Sequence, residues 1–125
     1  MFVMTETRLF WWPVTVQMPD PTKAGEMVEH QFEMQFEAID DTALQAIEAE
    51  VQAIDDPIER RARQHDVLLR VCRDWRDVVG PDQHPLPFSL DRLKAAINQP
   101  WFRIGVYVAY NTATAGVDSK ARRKN

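Results

Sequence analysis

The sequence is poor in the residues that build chemical sites. It has one cysteine, Cys72, which excludes an internal disulfide, and only three histidines. Its four glycines are well separated, which excludes a glycine-rich phosphate loop. No apolar run approaches the ~20 residues that cross a bilayer, and residues 1–7 lack the pattern of a signal peptide. We therefore expect a cytosolic protein without cofactor, metal, membrane span or small-molecule substrate.

Acidic and basic residues are unevenly distributed along the chain. Residues 1–56 hold two basic and twelve acidic side chains, whereas residues 57–125 hold thirteen basic and seven acidic ones, within a total net charge of −4. The two halves can therefore attract each other, either within one chain or between neighbouring copies. The simpler alternative is that each half is a solvated surface.

Two alternating stretches near the N-terminus predict an antiparallel β-hairpin. Every second residue is apolar in 8–18 and again in 28–37, which is typical of strands with one buried face. Pro13 has no N–H to donate, so the first strand should lie at a sheet edge or hold a bulge there. A lone hairpin is marginal in water, so the rest of the chain or a partner should cover its apolar face. The predicted inward residues are Phe10, Trp12, Val14, Val16 and Met18, and then Val28, His30, Phe32, Met34 and Phe36.

Apolar spacing of three and four after residue 40 predicts about four helices. Asp56 and Ser89 are suitable N-caps, and Pro57 suits a first helical turn. The fold class is therefore α+β, an N-terminal antiparallel β-hairpin followed by about four helices, with one domain over 1–117 and a basic flexible tail over 118–125. The predicted helices cover about 41–54, 57–79, 90–98 and 100–116. Their apolar stripes are Leu44, Ile47, Val51 and Ile54; Ile58, Ala62, His65, Leu69, Cys72, Trp75 and Val79; and Trp101, Ile104, Tyr107 and Val108.

The search for catalytic or metal-binding groups points to packing instead. His65 and Cys72 would share one face of the 57–79 helix, but a zinc site needs about three or four protein ligands and no others complete the set. A reactive thiol also needs an exposed electropositive pocket, so we expect Cys72 to be a small core residue. The paired carboxylates at 40–41 and 55–56 directly precede helices, where capping accounts for them. We expect no enzyme activity.

Nucleic-acid binding is the strongest competing class on charge alone. The predicted 57–79 helix holds six arginines, which could lie along phosphates. Acidic residues four positions away would pair with them instead, and the acidic first half would repel a duplex. We therefore do not expect nucleic-acid binding. The predicted pairs are Glu59–Arg63, Asp66–Arg70, Arg70–Asp74 and Arg73–Asp77.

Tryptophans and tyrosines suggest a partner surface. Trp11 and Trp12 are neighbours on a strand, so their side chains must point to opposite faces of the sheet. One of them cannot join the core without a second layer, and tryptophan and tyrosine are favoured at protein interfaces. The alternative is that helices cover both rings.

The order of several short segments resembles the tail assembly chaperones of long-tailed bacteriophages and prophages. The resemblance covers most of residues 8–125, and it rests on the order and spacing of these segments because each alone is short. The segments are Phe10-Trp11-Trp12-Pro13-Val14-Thr15-Val16, the acidic strand ending near Phe36, Asp74-Trp75-Arg76-Asp77-Val78, Pro85-Leu86-Pro87-Phe88-Ser89, Pro100-Trp101-Phe102-Arg103, Ala109-Tyr110 and Ala121-Arg122-Arg123-Lys124-Asn125.

This resemblance implies a role without catalytic residues. Such chaperones bind the tape measure protein, keep it soluble, assist tail-tube polymerisation and are absent from the finished virion. The implied location is the host cytoplasm, with the tail tube protein and a second copy of the chain as further candidate partners. Several members are similar in using a programmed frameshift, and Arg123-Lys124-Asn125 fits an A-AAA-AAC slippery sequence.

The residues with which we expect this chain to meet its partner come from three regions. The alternative function is a structural minor tail or head–tail connector subunit, and a nucleic-acid-binding regulator is a third. The predicted contact residues are Trp11, Trp12, Trp101, Tyr107, Tyr110, Arg122, Arg123 and Lys124.

Overall fold

A computed structural model describes residues 1–4 and 8–115, which form an antiparallel three-stranded sheet and five helices. The predicted tail over 118–125 and Gly116 lie outside these residues. The α+β class and the N-terminal hairpin are confirmed. Within the described part, no helix is long and apolar enough to cross a membrane. The elements are β1 Arg8–Pro19, β2 Met27–Ala38, α1 Asp41–Gln52, α2 Pro57–Arg63, α3 Asp66–Val71, β3 Cys72–Arg76, α4 Leu90–Ile97 and α5 Pro100–Thr114.

The hairpin has the register that its alternating pattern predicts. Trp12 lies opposite Met34, and the other predicted inward residues pair along the same face. The sheet order is β1-β2-β3, so β1 is an edge strand, and Pro13 fits there without a bulge. In the connecting turn, the Asp20 carboxylate accepts the backbone N–H groups of Thr22 at 2.8 Å and Lys23 at 3.2 Å. Hydrogen bonds from Thr22 lower the pKa of Asp20, since they favour its charged form.

Three helix starts are capped as the sequence predicts. The side chain of Asp40 accepts the Ala43 N–H at 2.8 Å at the start of α1, and Asp56 accepts the Ile58 N–H at 3.0 Å before α2. Ser89 accepts the Arg92 N–H at 3.1 Å at the start of α4. These carboxylates and the hydroxyl thus satisfy backbone donors that a helix leaves unpaired at its first turn.

The single helix predicted over 57–79 is wrong. The chain instead forms α2, α3 and then β3, which pairs with β2 as a third strand. Cys72 lies opposite Phe36 and Trp75 lies opposite Met34, so Arg73 is an extra residue in a β-bulge. This bulge explains the error, because it lets two residues three positions apart face the same core, a spacing that otherwise indicates a helix.

α5 packs on the apolar face of the sheet beside β1, and α3 and α4 add buried residues to the same core. Phe102 of α5 stacks on Phe32 of β2 with ring centroids 5.4 Å apart, and the ring of Tyr110 meets Phe36 edge-on at 5.4 Å. The hairpin's apolar face is thereby covered by the chain's own helices. The buried apolar residues of this core are Val14, Val16, Phe32, Met34, Phe36, Val67, Leu68, Val71, Cys72, Trp75, Leu93, Ile97, Phe102, Val106, Ala109 and Tyr110.

The face of α5 that enters the core is the opposite of the predicted one. Ile104 and Val108 were predicted to face inward, but they are 61% and 59% exposed. The helix is apolar on all sides, so its spacing does not identify the buried side. Gly105 decides the orientation, because a Cβ there would lie 2.5 Å from the Thr15 carbonyl oxygen of β1. Only a residue without a side chain permits this approach.

One acidic residue of β2 departs from the expected solvent-facing pattern. Glu37 is only 8% exposed, and its carboxylate forms an ion pair with Arg70 of α3. The Tyr110 hydroxyl donates to the Glu37 carbonyl oxygen at 3.4 Å and accepts the Ile39 N–H at 3.3 Å. This group of contacts joins the end of β2 to α3 and α5. Burial is the main cause that raises the pKa of Tyr110, which keeps its hydroxyl neutral.

Replacing Gly105 with alanine tests the close approach of α5 to β1. We expect Gly105→Ala to lower the free energy of unfolding by about 1–3 kcal/mol, because the helix must move away from the strand. Urea unfolding followed by circular dichroism measures this change. Asn111→Ala, at an exposed position of the same helix, should stay within about 0.5 kcal/mol of the parent. Equal stability of both variants would contradict the packing role of Gly105.

Candidate partner-binding surface

The two neighbouring tryptophans of β1 lie on opposite faces of the sheet, as predicted. Trp12 packs partly buried against the core, opposite Met34. Trp11 lies opposite Gln35 on the face that points away from the helices, which we call the open face. Trp11 is therefore the member of this pair that is placed outside the core.

Trp11 is partly covered by charged residues of the open face. The guanidinium carbon of Arg76 lies 4.1 Å from the centroid of a Trp11 ring, and its Nε donates to the Glu33 carboxylate at 2.6 Å. The hydrogen bond to Glu33 is the largest cause that raises the pKa of Arg76. An exposed cation–π contact contributes about 0.5–1 kcal/mol, so a partner can displace the Arg76 guanidinium from the Trp11 ring at little cost.

An uncharged groove runs between α5 and the outer edge of β1. We call it the α5 groove, and its volume is about 620 Å³. Trp101, Ile104 and Val108 line it on the side of α5. No ionisable side chain lines it among the described residues. Its remaining lining residues are Thr15, Gln17, Pro19, Met27, Pro100 and Gly105.

A second groove of about 530 Å³ lies beside α4, on the other side of Trp101, and we call it the α4 groove. The far end of the hairpin and the loop after β3 form its walls, and Arg92 and Asp77 lie at its rim. Trp75 lies at its base and donates its indole N–H to the Leu86 carbonyl oxygen at 2.7 Å. Trp101 lines both grooves, so a ligand in either one would contact this ring.

The remaining predicted contact residues are not brought together. Tyr107 lies half-buried between α5 and α1, where burial raises the pKa of its phenol. Tyr110 is 6% exposed and belongs to the core. Arg122, Arg123 and Lys124 lie outside the described residues. The sequence did not predict that Ile104 and Val108 are exposed. Gly105 could have indicated it, because a glycine inside a helix often marks the side that packs closely against a neighbour.

The six arginines of residues 57–79 do not form the basic helix that the sequence predicts. Three lie in α2, one in α3 and two in β3. The three ion pairs in the described part all join different elements, and none matches the predicted pairs four residues apart. They are Arg63–Asp66 at 2.7 Å, Arg76–Glu33 at 2.6 Å and Arg70–Glu37.

The prediction that His65 and Cys72 share a helical face is wrong as well. His65 precedes α3, whereas Cys72 is the first residue of β3. No group of three or more His, Cys, Asp or Glu side chains suited to a metal occurs in the part of the chain that the structure covers. Cys72 is a buried core residue, as predicted, and burial raises the pKa of its thiol to about 12.

Comparison with models of protein families, with curated proteins and with solved structures finds no match to this chain.

The burial of Cys72 predicts an inert thiol. At pH 8 a thiol with a pKa of about 12 holds almost no thiolate, and the core blocks access. We expect Ellman's reagent to label Cys72 about a thousandfold more slowly in the folded protein than in urea. A Cys72→Ala variant that carries Gln45→Cys, at an exposed site of α1, should react as a free thiol. Rapid labelling of folded Cys72 would contradict its core position.

Proposed function

We propose that this chain is a tail assembly chaperone of a long-tailed bacteriophage or prophage. In this proposal it binds the tape measure protein and keeps it soluble in the host cytoplasm while the tail tube polymerises, and it does not remain in the virion. The order of the short segments from Phe10 to Asn125 supports this assignment. The tail tube protein and a second copy of the chain are further partners in the same proposal.

The observation that carries the proposal is the outward apolar face of α5. Trp101, Ile104 and Val108 are three and four residues apart, so they form one stripe along the helix. An amphipathic helix of a client can lay its apolar side chains into such a groove. Because no lining residue is ionisable, we expect the bound segment to be apolar at its centre.

The charge distribution supports a second kind of contact. Of the described acidic residues of the first half, six lie on β2 and α1 and five lie in the turns and loops beside them, whereas most of the described basic residues lie on α2, α3, β3 and α4. Charged surfaces of opposite sign steer association and set the orientation of a partner. Arg122, Arg123 and Lys124, which lie outside the described residues, are predicted contact residues in the same proposal.

Co-expression with the tape measure protein of the same genome tests the proposal. We expect that protein to be insoluble alone, and soluble and captured when this chain is present. The double variant Ile104→Gln/Val108→Gln should weaken binding by at least about tenfold, because it removes two apolar contacts from the groove. Pull-down and measurement of the soluble fraction give both quantities.

Ile58→Gln is the matched control. Ile58 is 81% exposed on α2, away from the α5 groove, so its replacement should leave both binding and client solubility unchanged. If the parent chain neither binds nor solubilises the client, the proposal fails. Detection of the chain in purified particles in that case would favour a structural tail or connector subunit.

A further inference from the structure

A polar pocket lies between the α2–α3 junction and α4, away from the α5 groove. Its volume is about 410 Å³, and we call it the His65 pocket. His65 and Asp66 stand on one wall, and Lys94 and Asn98 stand on the other. Buried Ile97 and half-buried Leu69 provide an apolar surface beside these polar groups.

Two cations and one acid line this pocket, and the charges of Glu59 and Glu50 act on Arg63 from outside it. Arg63 lines it, with its guanidinium bound to the Asp66 carboxylate at 2.7 Å, so this arginine largely neutralises the one acid of the lining. Lys94 then remains as a second lining cation, and its side chain is exposed at the surface of α4. Arg61 of α2 and Arg103 of α5 add positive potential at the His65 ring. The pocket is therefore suited to a negatively charged group.

The surroundings of His65 disfavour the protonated, positively charged form of its imidazole. Burial and the charge of Arg103 lower its pKa, with a weaker opposing effect of Asp66 and a further lowering by Arg61. Its Nδ1 atom is buried and has no hydrogen-bond partner among the described residues. A buried polar atom without a partner is costly, because it has lost its hydrogen bond to water.

We propose that the His65 pocket binds an anionic oxygen group, either a phosphate or a carboxylate. Lys94 and the side-chain amide of Asn98 are positioned to donate hydrogen bonds to it, and His65 takes up a proton when the anion binds. The phosphate would come from a small ligand and the carboxylate from an acidic peptide segment. This inference does not depend on the chaperone role, since it rests on other residues.

The proposal requires a defined pH dependence. A negative group beside the imidazole counteracts Arg61 and Arg103 and favours the charged ring, so binding raises the pKa of His65. By linkage, anion affinity is greatest when His65 is protonated and falls as the pH rises through the pKa of the bound form. The charged groups around the ring and the pocket are Arg61, Arg63, Asp66, Lys94 and Arg103, with Glu50 and Glu59 acting on Arg63.

Imidazole NMR of the full chain tests this proposal. Inorganic sulfate is the tetrahedral probe, because its charge is constant between pH 5 and 8, and a short polyglutamate peptide is the carboxylate probe. Each is titrated at constant ionic strength against sodium chloride. We expect the His65 signals to shift and the pKa of His65 to rise, while the signals of exposed His30 and His84 respond no more than they do to chloride.

Two lysine variants distinguish a specific binding site from nonspecific ion binding. Lys94→Gln should weaken binding of the effective probe by about fivefold, the loss expected for one exposed ion pair. Lys23→Gln, an equally exposed lysine in the hairpin turn, should not change it. Response to sulfate alone assigns a phosphate-type ligand, and response to polyglutamate alone assigns a carboxylate. If neither probe moves His65 more than His30 and His84, or if both lysine variants weaken binding equally, the proposal is overturned.

Discussion

The apolar face of the hairpin is the constraint on which the rest of the structure depends. Two strands alone bury too little surface to be stable in water, so this face needs both another strand and a layer of helices. β2 lies at the centre of the sheet, and its Met34 and Phe36 are fully buried. β3 extends the sheet on one side, and α5 covers β1 on the other. β3, α3, α4 and α5 thus complete the core that the first 38 residues leave unfinished.

Features that depend on neighbours in sequence could be predicted from the sequence. The alternation of β1 and β2 determines which residues face the core, and Asp40, Asp56 and Ser89 mark helix starts because their side chains reach nearby N–H groups. The opposite orientations of Trp11 and Trp12 follow from the same alternation. These are local rules, and Glu37 departs from the alternation of β2 because contacts with α3 and α5 bury it.

Features that depend on distant contacts could not be predicted in the same way. β3 forms because it can pair with the free edge of β2. Its bulge at Arg73 leaves the core residues Cys72 and Trp75 three positions apart, which is the spacing of a helix. The direction of α5 depends on the fit of Gly105 against Thr15, which becomes visible only when the helix and strand are together. The sequence therefore predicted Trp101 as a contact residue but did not predict that Ile104 and Val108 beside it are exposed.

The two candidate binding regions differ in chemistry as well as in place. The α5 groove is uncharged and open along a helix, so it suits an apolar segment of a protein. The His65 pocket is lined by two cations, an ion-paired carboxylate and a partly buried imidazole, so it suits one anionic group. Because α5 supplies the wall of the first and, through Arg103, part of the potential in the second, this helix contributes to both.

Pro13 has a consequence for how copies of the chain meet at high concentration. An edge strand of twelve residues is long enough to template the addition of strands from other molecules, which is the first step towards a fibril. Pro13 removes one donor from the middle of this edge, and Pro19 removes another at its end. A second copy therefore cannot continue the hydrogen-bond ladder along the whole of β1, so association of copies is biased towards side-chain contacts and away from open-ended sheet growth.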